Sequence, residues 1–92
     1  MGESVRGIYV FHGSGGKFAS AVYESLDQAT KSIAKLGMSG LLTWYPIGFT
    51  VYEYSTDMGF FKGRSREDVK FIQRFTSASL EHYHFEGGVM IE

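Results

Sequence analysis

The sequence predicts an α+β domain, a small antiparallel sheet with two or three helices packed against it. Three observations point to that class. The glycine-rich turn "GSGGK" separates two runs rich in β-branched and aromatic residues. Two later stretches carry apolar residues at helical spacing behind a capping residue. The stretch "EHYHFE" near the end alternates in the manner of a strand.

The elements follow in order. Gly7 to His12 and Phe18 to Tyr23 read as the arms of a β-hairpin over residues 6–23. Ile8 and Val10 point one way and Tyr9 and Phe11 the other, so the first arm is apolar on both faces and belongs inside the sheet. A helix over 25–36 comes next, with Ser25 as N-cap and Gln28 completing a capping box. Leu26, Ala29, Ile33 and Leu36 form its buried stripe, and Gly37 ends it. Lys31 and Lys35 lie off that stripe, Lys35 near the negative end of the helix dipole. "GLLTWYPIG" supplies a strand near 41–45. Residues 49–58 fit a strand by alternation and a helix by the spacing of Val51, Tyr54 and Met58 before Gly59; helix from about residue 50 is preferred. A helix near 66–75 is capped by Ser65, carries Glu67 and Asp68 in its first turn, and presents Val69, Ile72 and Phe75 on one side. A closing strand spans about 79–86.

Ninety-two residues make one domain, 1–92, with no repeat or linker. A chain of this size buries roughly 60–65% of its unfolded surface, and the 16% aromatic content compensates for a thin core. The net charge of −1 provides no global field for nucleic acid or anionic membrane. The lack of cysteine removes disulfides, thiolate metal sites and cysteine nucleophiles, and favours a reducing compartment. "MGESVRGI" lacks a signal peptide's apolar segment, and no run is long enough for a membrane helix. These points together lead to a cytoplasmic expectation.

Four groups of residues are candidates for chemistry. "GSGGK" departs from a phosphate loop, since two residues separate Gly13 from Gly16 and a strand follows Lys17; it reads as a hairpin turn. Arg66, Lys70 and Arg74 recur every four residues on one helix side. Residues 62–74 hold five basic and two acidic side chains, a local +3 that leaves −4 elsewhere. That side is either a solvated face or a docking surface for an acidic partner; the lack of a stacking-aromatic motif argues against RNA. His82, His84 and Glu86 share one strand face, and Glu81, Tyr83 and Phe85 share the other. His-x-His places two Cα atoms about 6.6 Å apart, within reach of one metal ion, with Glu86 as a third ligand and His12 as a fourth if its strand lies alongside. The competing reading is the polar face of a half-buried sheet, with Tyr83 and Phe85 toward the core because burying the rings is favourable and burying unpartnered imidazoles is costly. Ser77 and Ser79 read as backbone partners between the last helix and the strand rather than nucleophiles.

The pieces "YVFHG", "KFAS", "LGMSGLLTWYP", "VYEY", "GFF" and "FIQRFTSASLEHYHFEGG" occur in that order. They resemble a family of small bacterial domains of unknown function from about Ile8 to Gly87, most specifically in the C-terminal "FTSASLEHYHFEGG". Similar domains often read F-P-S-G where this chain has Phe18-Ala19-Ser20-Ala21. The resemblance implies a compact bacterial module and brings no catalytic residue with it.

The expected function is a small cytoplasmic protein-binding module without catalytic activity or cofactor, such as an immunity protein that neutralises a bacterial toxin. The expected binding residues are His82, His84, Glu86, Arg66, Lys70 and Arg74, with another protein as partner, and neither nucleic acid nor membrane. The alternative is a metal-dependent or acid/base enzyme that uses His82, His84 and Glu86.

Overall fold

The computed structural model describes residues 5–60 and 69–91. Five strands form one fully antiparallel sheet in the order β2-β1-β3-β4-β5. The strands are β1 (Gly7–Gly13), β2 (Ala21–Tyr23), β3 (Gly40–Pro46), β4 (His82–Glu86) and β5 (Val89–Ile91); the helices are α1 (Leu26–Leu36), α2 (Val51–Asp57) and α3 (Val69–Arg74). The α+β class is therefore the one observed.

β1 is bonded on both sides, as its two apolar faces require. Its hairpin partner is shorter than the sequence suggests, because pairing starts at Ala21 and Phe18 stands in the connecting loop, 80% exposed. Gly15 adopts φ 82° in that loop, a left-handed conformation that glycine accepts without steric cost.

α1 begins at Ser25, whose Oγ accepts the Gln28 N–H at 3.1 Å. The reciprocal half of the box is displaced by one residue: Gln28 Oε1 accepts from the Glu24 N–H at 2.7 Å. At the other end Gly37 has φ 66°, its N–H donates to Ala34 and the Met38 N–H donates to Ile33, a Schellman ending. This ending corrects the buried stripe. Leu36 is 66% exposed, and Met38, folded back by the left-handed turn, packs against the core in its place. Phe11, Leu42 and Phe85 from three adjacent strands meet Ala29 and Ile33 of α1 to make that core.

The ambiguous stretch is helical. Thr50 caps α2 with a complete box: its Oγ1 accepts the Glu53 N–H at 3.0 Å, and Glu53 Oε1 accepts the Thr50 N–H at 2.8 Å. Those bonds hold the Glu53 carboxyl below its ordinary range, the backbone bond from Thr50 contributing most. The apolar side of α3 is Phe71 and Ile72, continued by Phe75 just past its end, with Phe71 and Phe75 packed edge-on to Tyr52 at ring separations of 6.0 and 5.6 Å. Val69, expected on that side, is 72% exposed. Ser65, Arg66, Glu67 and Asp68 lie outside the described residues.

β4 has a partner that was not foreseen. Gly87 and Gly88, at φ 55° and 87°, make a two-residue turn that brings β5 back along β4. The turn is anchored, since the Gly88 N–H donates to the Met38 carbonyl at 2.8 Å and the Gly87 N–H to Ser39 Oγ at 2.9 Å. Among the described residues, no helix is long and apolar enough to cross a membrane.

Candidate functional site: the second face of the sheet

Residues directly opposite one another in an antiparallel pair project to the same face. The register therefore sorts every strand residue. Phe11, Leu42, Tyr83 and Phe85 share the face that α1 covers. The other face carries Ile8, Val10, His12, Val22, Leu41, Thr43, Tyr45, His82, His84, Glu86, Val89 and Ile91. On the first face Phe11, Leu42, Pro46 and Phe85 are buried; on the second no side chain is.

The chain's three histidines are all on this second face. His12, Leu41, His84 and Ile91 form one row across four strands, and Val22, Val10, Thr43 and His82 form the next. The imidazoles of His82 and His84 meet edge to face, with ring centres 5.6 Å apart. His82 Nδ1 lies 2.7 Å from the Leu80 carbonyl oxygen, which can only accept, so Nδ1 carries the proton. In the neutral ring Nε2 then keeps a free lone pair. His12 is held differently, its Nε2 lying 3.2 Å from the Gly16 carbonyl and donating to it.

Two clefts open here. One, of about 290 Å³, is lined by Leu41, Thr43, Tyr45, His82 and His84 with Thr76, Ser77 and Ala78 along its rim. The other, of about 450 Å³, lies between the glycine loop, His12, His84, Glu86 and Ile91. His84 and Leu41 line both. The structure thus brings His82 to His84, and His84 to His12 and Glu86, while Glu86 and His82 line different clefts. Among the described residues no three His, Asp or Glu side chains converge as a metal cage. Ser77 Oγ accepts the Ser79 N–H at 3.1 Å, the backbone role expected of that pair.

The basic set stands apart. Lys70 and Arg74 are exposed on α3, and Arg74 Nε donates to the Lys70 carbonyl at 3.2 Å. Neither lines either of these two clefts. Arg66 lies outside the described residues.

On the α1 side a polar cluster escaped the sequence reading. Glu81 Oε2 accepts from the phenols of Tyr9 at 2.7 Å and Tyr83 at 2.5 Å. Partial burial, then the bond to Glu81 and its charge, push the Tyr9 phenol up to about 12. Tyr83 is also raised, chiefly by its bond to Glu81. Alternation puts Glu81 and Tyr83 on one face, but the approach of Tyr9 depends on strand order, which no local pattern encodes.

Residues 8–91 match a family described as Domain of unknown function (DUF7710), and the chain belongs to that family. No match was found among curated proteins, nor among solved structures.

Proposed function

We propose that this member of the DUF7710 family is a bacterial, cytoplasmic protein-binding module, and that its second sheet face is the recognition surface. The observation that carries the reading is the asymmetry of the sheet: one face packs on α1, and the other leaves every side chain at least partly accessible. That surface mixes apolar area from Leu41, Val22 and Ile91, hydroxyls from Thr43 and Tyr45, and three imidazoles that can donate or accept. Lys70 and Arg74 supply a separate positive patch that would steer an acidic partner. An immunity protein that occludes a toxin is the role we favour for such a module.

The test is affinity capture from the native cell with a tagged chain, in wild type, His84→Asp on the face and Lys31→Glu on α1. A stoichiometric partner held by wild type and Lys31→Glu but lost from His84→Asp supports the face. Equal retention by all three, or no partner at all, contradicts it. If the partner arrests growth when expressed alone and not when this chain is co-expressed, the immunity role follows. A second reading, a metal-dependent or acid/base enzyme, draws on the pairing of His82 with His84.

A further inference from the structure

We infer that His82 and His84 form a two-imidazole site for a borderline divalent transition ion, with zinc the natural probe. The inference goes beyond the protein-binding reading and does not depend on it. Three features carry it.

The first is spacing. Two imidazoles on one tetrahedral zinc ion, with Zn–N bonds of about 2.0–2.1 Å, have ring centres roughly 5 Å apart. The ring centres of His82 and His84 stand 5.6 Å apart, close to that separation; with His82 held at Leu80, the His84 ring is the one that would turn out of the edge-to-face contact to share an ion. Their backbone positions come from β4 itself, paired with β3 on one side and, at His84, with β5 on the other.

The second is the tautomer of His82. A metal-ligating histidine ordinarily donates its other ring N–H to a carbonyl or carboxylate, which fixes tautomer and orientation. His82 already does so: Nδ1 donates to Leu80 at 2.7 Å, leaving Nε2 as the free donor atom. Leu80 is itself buried, which gives the carbonyl a well-anchored residue.

The third is the surroundings. Both rings line one cleft of about 290 Å³, with the hydroxyl-bearing Thr43, Tyr45, Thr76 and Ser77 around them. Glu86, four residues from His82 along β4, would be about 13 Å away on an extended strand and lines the neighbouring cleft. The site therefore supplies two nitrogen ligands and leaves the remaining positions to water, a hydroxyl or a donor from a bound molecule. Two protein ligands are one fewer than a catalytic zinc centre uses and two fewer than a closed structural one, so the ion would exchange readily with solvent. Imidazole nitrogens select zinc, copper or nickel over magnesium and calcium.

The experiment is calorimetric titration of the untagged chain with zinc chloride, in wild type and three variants. His82→Ala/His84→Ala removes both ligands. His82→Asn can still donate to the Leu80 carbonyl but lacks Nε2. His12→Ala removes the third histidine and leaves the pair. Circular dichroism confirms that each is folded, as expected for exposed positions. One zinc ion per chain in the micromolar range, abolished in the double variant, at least tenfold weaker in His82→Asn and unchanged in His12→Ala, is the expected result. Absence of micromolar binding to wild type, or binding that survives the double variant, overturns the site.

Discussion

Tyr9 and Glu81 meet across the width of β3: the phenol on β1 donates to the carboxylate just ahead of β4 at 2.7 Å. Tyr83 donates to the same oxygen, so two strands that are not neighbours are tied by one acceptor. The main cause of the raised Tyr9 pKa is partial burial, with the Glu81 bond and charge added to it.

This arrangement has a pH signature. The unfolded phenol ionises near 10.0 and the folded one near 12, so between those values the folded chain holds the proton that the unfolded chain has lost. The contribution is therefore present below about pH 10 and is lost as pH rises toward 12. Glu81→Gln should bring the tyrosinate titration of Tyr9 down toward its ordinary value, read by ultraviolet absorbance. A titration unchanged in Glu81→Gln would mean that burial alone accounts for the shift.

Gly40 opens β3 at φ 154°, where a Cβ would lie 2.3 Å from the His12 carbonyl oxygen and 2.8 Å from Gly13 Cα. Both obstacles are backbone, so the strand pair itself would have to part. Gly40→Ala should destabilise the domain by more than about 2 kcal/mol in urea unfolding. Gly15→Ala, with open space around it though at φ 82°, should cost less, about 1 kcal/mol.

The core makes a simpler demand. Ile33 and Leu42 are fully buried on opposite sides of the α1–sheet contact. Truncating either to alanine should cost about 2–5 kcal/mol, seen as a lower denaturation midpoint. Leu36→Ala, at an exposed position outside that contact, should fall within about 0.5 kcal/mol of wild type.

The basic side of α3 should behave oppositely. Reversing Lys70 and Arg74 to glutamate should change stability by less than about 1 kcal/mol, because exposed charges contribute little to folding. It should slow association with an acidic partner, most strongly at low salt. An unaltered salt dependence of the on-rate would reduce the patch to a solvated face.

What could be read from the sequence follows from where each signal resides. α1 was legible because Ser25 and Gly37 act locally, through bonds to residues within one turn. The faces of β4 were legible because alternation alone separates His82 and His84 from Tyr83 and Phe85. α2 was harder, since alternation from Phe49 to Tyr54 competed with the Thr50–Glu53 box that decides it. β5 was missed although Gly87-Gly88 between two extended runs is a hairpin signal, because its three exposed residues carry no burial pattern of their own. His12 in one cleft with His84, and Tyr9 bonded to Glu81, both require β3 to lie between β1 and β4, a tertiary fact outside any window of residues.

Histidine footprinting tests the recognition claim most directly, because His12, His82 and His84 are the chain's only histidines and all are exposed on the second face. Carbethoxylation of each ring is measured by mass spectrometry for the free chain and for its complex with the captured partner. The account predicts that all three react in the free chain and that His82 and His84 at least are protected in the complex, while Lys31 and Lys35 of α1 stay reactive toward an amine label. Unprotected histidines together with protected α1 lysines would contradict it and move the interface to the helical side.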